Sequence, residues 1–187
     1  YSNISWILNK TDYYKNIQKY FELLKPINII QDKIDEVLLK YPENKNNIIG
    51  FHIRHWPQDW QSKNIKILEG NNEERLKIMD KSIIDNVDVK FYICSTNKES
   101  IDFLVSKYGT RIIYFENRFG NNINDKYYSS DKNKSTGNIY KNLNGVVDLY
   151  LLSKCNLIIG DVASSYSICS PLLNSNSTYK QIKITSY

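Results

Sequence analysis

The stretch IIGFHIR at residues 48–54 decides the fold, because an apolar run bounded by turn residues is typical of a buried strand. The polar segment ENKNN at residues 43–47 precedes it and should be a loop. Upstream of this loop, apolar residues recur at helical spacing from Ile30 to Tyr41. This spacing predicts an amphipathic helix that stops before Pro42.

The segments that follow alternate between helix and strand. Leu76, Met79 and Ile83 mark one face of a helix that starts near Asn71, and VKFYICS at residues 89–95 then reads as a second buried strand. Strand followed by helix followed by strand is the repeating unit of a parallel sheet.

A further helix and strand come next, and a long polar segment follows them. Asn97 is a suitable N-cap, Gly109 lies where a glycine closes a helix, and RIIYF at residues 111–115 predicts a third strand. Residues 116–138 have no apolar period and should form a long surface loop. Such loops are often lids or binding segments, although a plain insertion fits this composition equally well.

The last third of the chain predicts two more helices and two more strands. In order they are residues 145–155 (a helix capped near Asn144), 156–160 (a strand), 164–173 (a helix begun by Ser164 or Ser165) and 181–187 (a strand). Pro171 should make the second of these helices kink or end early. The whole pattern predicts an α/β fold, a Rossmann-like and largely parallel sheet with helices on both faces.

Composition narrows the class of protein. With 187 residues, 41% hydrophobic and 24% charged, the chain should form one principal globular domain. The net charge of +5 suits an anionic partner weakly, but no basic stripe, zinc spacing or aromatic RNA-binding motif accompanies it, so nucleic acid is not an expected partner. Cys94, Cys155 and Cys169 lie in mostly apolar settings and should be buried thiols.

Polar segments follow three of the predicted strands directly. They are residues 52–54 after the first strand, 95–97 after the second and 161–167 after the fourth. Open α/β sheets bind ligands at the carboxyl ends of their strands, so we expect these three segments to converge on one site.

His52 and Arg54 should point to the same side of their strand, with Ile53 on the other face, because side chains alternate along a strand. Arginine offers a planar fork of donors that suits phosphate oxygens. Histidine can donate to a phosphate or a base, or act as an acid or base near neutral pH. The alternative is that both side chains pair with carboxylates at a strand end.

Two other positions could complete such a site. Ser164 and Ser165 would lie where a strand passes into a helix, beside N–H groups that attract anions, although a plain N-cap also explains one serine. Asp148 is predicted near the start of its helix, where its carboxylate could accept two bonds from a guanine edge or simply complement the helix dipole.

Three motifs in this order resemble the donor-site motifs of GDP-fucose fucosyltransferases. They are IIGFHIRH at residues 48–55, FYICSTN at 91–97 and GVVDLYLLSKCNLIIGDVASSYS at 145–167. The nearest patterns are those of the α-1,6-, protein O- and bacterial α-1,2-fucosyltransferases. The resemblance implies the C-terminal donor-binding lobe of a GT-B glycosyltransferase, an inverting enzyme that needs no metal and no cofactor besides its nucleotide-sugar donor.

By motif position, the resemblance also implies roles for individual residues: Arg54 at the β-phosphate, His52 and Asp148 at the guanine, Asn97 in the donor site, and Ser164 or Ser165 at the diphosphate. His55 and Asp59 follow the phosphate motif and are the candidates for a general base. Two positions depart from the family pattern, since many relatives carry a second arginine at position 55 and an aspartate at position 97.

The resemblance divides the chain into a donor-binding domain at residues 27–187 and a connector, or the remnant of an N-terminal acceptor lobe, at residues 1–26. Its expected partners are a nucleotide-sugar donor, a glycan or protein acceptor, and a missing N-terminal lobe. Two alternatives are a non-catalytic nucleotide- or glycan-binding lobe and a transferase that uses another nucleotide sugar. A bacterial or viral enzyme would act in the cytoplasm, and a eukaryotic one in the ER or Golgi lumen.

Overall fold

A computed structural model describes seven segments of the chain: residues 11–41, 47–53, 72–95, 98–116, 139–160, 164–174 and 177–181. The α-helices within these segments are α1 (Thr11–Phe21), α2 (Asn28–Leu39), α3 (Asn72–Asp85), α4 (Lys98–Tyr108), α5 (Ile139–Ser153) and α6 (Ser165–Cys169). The strands are β1 (Ile48–Ile53), β2 (Lys90–Ser95), β3 (Ile112–Ile113), β4 (Leu157–Gly160) and β5 (Thr178–Gln181). Short 3₁₀ helices span Gly109–Arg111 and Ser170–Leu173.

The five strands form one sheet in the order β3-β2-β1-β4-β5, and every neighbouring pair is parallel. After β1 the chain adds β2 and β3 on one side, then returns to add β4 and β5 on the other. The order therefore reverses between β1 and β4, and such a switch point leaves a crevice at the carboxyl ends of the strands. The predicted α/β class and parallel sheet are confirmed.

Helices cover both faces of the sheet. The even-numbered side chains of β1 and β2 pack with α2 and α5, in a core that contains Ile34, Tyr92 and Leu151. The odd-numbered side chains pack with α3 and α4 around Phe51 and Leu104. Because successive strand side chains point to opposite faces, each strand contributes to both layers of the core.

Gly50 lets helix α5 lie close against the middle of β1. A Cβ atom at this position would stand 2.5 Å from Leu152 Cδ1, 2.9 Å from Cys155 Sγ and 3.2 Å from Cys155 Cβ. A larger side chain would push the C-terminal half of α5 away from the sheet. The glycine of the IIGFHIR motif thus acts through close packing rather than through a turn.

Two predicted element boundaries were wrong. Helix α5 begins at Ile139, so Asn144 is a buried residue inside the helix and not its cap. Asp148 consequently lies deep in α5 rather than near its start, and complementing the helix dipole does not explain it. Strand β5 begins at Thr178, three residues before the predicted start at Gln181, because the Thr178 N–H donates to Asn156 O at 2.9 Å and sets the register.

The N-terminal region contains a helix that the sequence pattern did not predict, α1 at Thr11–Phe21. It contacts the domain through Gln18, whose Nε2 donates to Pro171 O at 3.4 Å. The predicted early end of the helix before Pro171 is confirmed, since α6 stops at Cys169 and a 3₁₀ helix follows. The division of the chain at residue 26 stays a prediction.

The structure also bears on membrane-spanning helices, on the cysteines and on metal-binding groups. In the described segments, no helix combines the length and the apolar character needed to cross a membrane. Cys94, Cys155 and Cys169 are not joined in disulfides; the first two are buried and the third is half-buried. Among the described residues, no group of three or more histidine, cysteine or acidic side chains could hold a metal ion.

Candidate functional site

His52 lies at the switch point of the sheet, near the carboxyl end of β1. Its register partners are Cys94 on β2 and Gly160 on β4. The side chain is only 5% exposed and points to the α5 face, whereas Ile53 packs in the core on the opposite face. The switch-point placement agrees with the sequence-based expectation for the start of the site.

Two side chains of α6 hold the His52 ring. His52 Nδ1 and Ser167 Oγ share a hydrogen bond of 2.9 Å, and Ser167 is completely buried. The Tyr166 ring stacks on the imidazole, with centroids 5.4 Å apart and planes inclined by 19°. Because a bond at Nδ1 and a stacked ring together restrict the rotation of an imidazole, α6 determines how His52 is oriented.

Two glycines provide the space for this arrangement. A Cβ atom at Gly160 would overlap Ser167 Oγ and lie 3.3 Å from His52 Cβ, so only glycine admits the histidine and the serine side by side. A Cβ atom at Gly145 on α5 would overlap the hydroxyl of Tyr166. Tyr166 therefore spans the gap between the His52 ring and the N-terminal half of α5.

Asp148 on α5 is hydrogen-bonded to a side chain of the sheet. It is 5% exposed, and its Oδ1 accepts a hydrogen bond of 2.6 Å from the hydroxyl of Tyr92, which is 2% exposed. A buried carboxylate is costly unless it is hydrogen-bonded, and the tyrosine meets part of that requirement. Asp148 lies on the same face of the sheet as His52, one turn of helix beyond Gly145.

The two serines at the start of α6 differ in their surroundings. Ser164 is buried at the N-cap position with an extended backbone, and its side chain makes no capping hydrogen bond to the helix. Ser165 is exposed. The plain N-cap explanation for Ser164 therefore fails, because its hydroxyl makes no hydrogen bond to an N–H group of the first turn.

Arg54, His55, Asp59 and Asn97 lie outside the described residues, so their predicted roles remain predictions. The structure places His52 beside Tyr166 and Ser167 of α6, the helix that starts at Ser165 after its N-cap residue Ser164, and places Asp148 on the same face of the sheet.

Sequence reasoning missed three residues of this site: Tyr92, Tyr166 and Ser167. Tyr166 and Ser167 belong to the SSYS segment at residues 164–167, but the sequence of this segment does not indicate which of its side chains contact His52. Tyr92 is two residues before Cys94 on a buried strand, and its even position put it on the face of α5. One signal in the sequence could have identified Tyr92. A tyrosine on a fully buried strand needs a hydrogen-bond partner for its hydroxyl.

The fold of the chain is that of fucosyltransferases with solved structures. It is similar to NodZ α-1,6-fucosyltransferase from a crystal soaked with GDP-fucose, with a TM-score of 0.53 and 18% identity over 82% of this chain and 47% of that one. It is also similar to fucosyltransferase NodZ from Bradyrhizobium, with a TM-score of 0.50 and 17% identity over 79% and 42% of the two chains. The apo form of POFUT1 matches with a TM-score of 0.54 and 13% identity over 94% and 51%.

These similarities concern part of each known enzyme, since the chain spans about half the length of the structures it matches. No protein-family model matches the chain, and no curated protein sequence matches it significantly. At identities of 13–18% the similarity shows the fold, which is α/β as in these fucosyltransferases.

Proposed function

We propose that this chain is the donor-binding part of a glycosyltransferase that transfers a sugar, fucose from GDP-fucose, to a hydroxyl group of a glycan or protein acceptor. The observation that carries the proposal is the position of His52 and the start of α6 at the switch point of a sheet whose fold is that of fucosyltransferases. One of those similar structures was obtained from a crystal soaked with GDP-fucose, which supports a nucleotide-sugar donor.

Each residue has a chemical task in this proposal. Arg54, two positions beyond His52, binds the diphosphate through its fork of donors. The N–H groups at the start of α6, with Ser164 and Ser165, add donors to the same anion. His52 and Asp148 face the guanine, and Asn97 completes the donor site from the end of β2.

The transfer is a displacement with inversion. The acceptor hydroxyl attacks the anomeric carbon of the sugar, a new carbon–oxygen bond forms, and the bond from that carbon to the β-phosphate oxygen breaks. GDP leaves with the electron pair, and the cation of Arg54 stabilises the developing charge. The acceptor proton passes to a general base, for which Asp59 and His55 are the candidates because they follow the phosphate motif. No metal ion takes part in this scheme.

Substitution of Arg54 tests the phosphate assignment. Arg54→Ala should weaken GDP binding by roughly 10- to 150-fold, because a charge-assisted hydrogen bond contributes about 1.5–3 kcal/mol. Isothermal titration calorimetry measures the affinity directly. The control is Lys154→Ala, which removes an exposed cation shortly before β4. Lys154 lies at the amino-terminal ends of the strands, away from the proposed site at their carboxyl ends. Equal GDP affinities for the Arg54 variant and the wild-type chain would contradict the assignment.

Two other functions are kept as candidates. One is a non-catalytic nucleotide- or glycan-binding lobe. A transferase for another nucleotide sugar is favoured by His55 and Asn97, where relatives carry arginine and aspartate. Thermal-shift measurements with GDP, UDP, CDP and their sugars separate donor classes, because a ligand that binds only the folded state raises its stability. Binding of GDP without transfer to any acceptor in a panel would favour the non-catalytic lobe.

A further inference from the structure

An exposed apolar surface lies where helix α1 turns into helix α2. None of the side chains of residues 15–29 is buried, although this stretch is rich in large apolar residues. Five of these side chains are half or more exposed, and together they are called the corner surface: Tyr20, Leu23, Leu24, Ile27 and Ile29. Single exposed apolar side chains are normal on a protein, but five within ten consecutive positions are typical of an interaction site.

Polar contacts attach this corner to the rest of the domain. Gln18 Nε2 donates to Pro171 O at 3.4 Å, and the hydroxyl of Tyr150 donates to Leu24 O at 3.2 Å. Ile17 and Phe21, one helical turn apart on α1, are only half-buried. These contacts hold the corner in place while its largest apolar side chains stay exposed, so a partner would meet a surface that is already ordered.

The area of the corner surface matches what a stable interface needs. Side chains of this size offer on the order of 150–200 Å² each, so five that are half or more exposed present about 500–600 Å² of apolar surface. A standard protein interface takes about 800 Å² from each partner, and about 60% of that area is apolar. The corner surface can therefore supply the apolar centre of one such interface.

The charges around the corner surface decide which kind of partner fits. Residues 15–36 carry equal numbers of lysines and acidic side chains: Lys15, Lys19, Lys25 and Lys33, against Glu22, Asp32, Asp35 and Glu36. The region is neutral, although the whole chain has a net charge of +5. Anionic membranes and nucleic acids select basic surfaces, so neither fits this region. A surface that carries both signs equally is complementary to a second copy of itself.

We propose that the corner surface is a dimer interface, at which a second copy of this chain packs its own corner surface by two-fold symmetry. Two-fold dimers are by far the commonest assemblies of soluble proteins, and their interface is the same patch on both copies. The exposed leucine and isoleucine side chains form the apolar centre, and the lysines and acidic residues form the rim, where unlike charges of the two copies meet. This assembly is independent of which nucleotide the chain binds.

Sedimentation velocity of the full 187-residue chain over a range of concentrations tests the proposal. As its concentration rises, the wild-type chain should approach twice the 22.0 kDa mass of one copy. Leu23→Lys puts a charge into the apolar centre, so the dissociation constant of the dimer should rise by about tenfold or more. The matched control is Val87→Lys, because Val87 is 70% exposed, close to the 74% of Leu23, but follows α3 on the other face of the sheet. This control should dimerise like the wild type.

The melting temperature of each dilute variant separates a lost interface from lost folding. Both positions are exposed, so neither substitution should change that temperature appreciably. A wild-type chain that stays monomeric at high micromolar concentration would overturn the proposal, and so would a dimer that the two substitutions weaken equally. Vesicles of phosphatidylcholine and phosphatidylglycerol probe the other occupant. If a monomeric wild-type chain floats with them and Leu23→Lys does not, the corner surface binds a membrane and the dimer is wrong.

Discussion

The His52 ring is held from two directions by neighbouring residues of one short helix. Ser167 bonds its Nδ1 atom, and Tyr166 stacks on its face. With 5% of the residue exposed, the imidazole has little freedom to choose another rotamer. Preorganisation of this kind removes the entropy cost of ordering a side chain when a ligand binds.

Loss of the Ser167 hydroxyl should be costly for stability. Ser167→Ala removes the partner of His52 Nδ1 in a fully buried setting, so the free energy of unfolding should fall by about 1–3 kcal/mol. Urea denaturation followed by circular dichroism measures this change. Ser165→Ala, at an exposed position of the same helix, should stay within about 0.5 kcal/mol of wild type. Equal effects of the two substitutions would show that the hydrogen bond between Ser167 and His52 contributes nothing to the free energy of unfolding.

At the scale of single elements, helix α5 contacts three of its neighbours around the site. It presents Asp148 to β2, contacts Tyr166 at Gly145 and lies against β1 at Gly50. A glycine in the middle of a helix normally weakens it. Here Gly145 makes room for the hydroxyl of Tyr166, so the weakness of the helix is offset by the packing of α6 against it.

A double-mutant cycle tests this packing. In the wild-type background Gly145→Ala should not stabilise the chain and should cost up to about 2 kcal/mol, because overpacking outweighs a gain of about 1 kcal/mol in helix propensity. In a Tyr166→Phe background the overlapping hydroxyl is gone and the next ring atom, Cζ, stands at an ordinary 3.5 Å from the new Cβ. There Gly145→Ala should stabilise the chain. Thermal unfolding of the four proteins gives the coupling, and a coupling near zero would contradict the packing described here.

At the scale of the whole molecule, the sheet separates two apolar layers, and the layer beneath α2 and α5 holds two of the three cysteines. Cys94 and Cys155 are buried there, and burial raises the pKa of the Cys155 thiol far above its usual range. Burial also raises the pKa of the half-buried Cys169. Since the thiolate is the reactive form, the folded chain should protect its thiols both by covering them and by keeping them protonated.

Thiol labelling should therefore report on global unfolding. In native buffer Cys169 should react first with a disulfide reagent, and Cys94 and Cys155 should react only at the rate at which the molecule opens. Mass spectrometry of the labelled peptides distinguishes the three sites, and the chain in concentrated urea serves as the fully reactive control. Labelling of Cys155 as fast as that of Cys169 under native conditions would show that the α5 layer opens locally.

The periodicity of apolar residues and the positions of turn residues were sufficient to predict the α/β fold class. Apolar runs of strand length separated by amphipathic helices appear in the order that builds a parallel sheet, and the strand order seen in the structure places the switch point after His52. Local signals failed where contacts between distant residues decide the outcome. Gly145 looked like the start of a helix, yet α5 begins at Ile139 and continues through it, and the hydroxyl of Tyr166, 21 positions later, occupies the space beside this glycine.

The sequence by itself determined that the chain alternates strands and helices, and that the polar residues His52, Ser164 and Ser165 stand at strand ends, because these properties depend on neighbours along the chain. Only the tertiary structure decided that Ser167 and Tyr166 hold His52 and that Tyr92 holds Asp148. The hydrogen-bonded pair Tyr92 and Asp148 is 56 positions apart in the sequence, and the pair His52 and Ser167 is 115 positions apart. Contact between them depends on strand register and on how closely α5 and α6 approach the sheet. Spacing along a sequence carries no direct information about that approach.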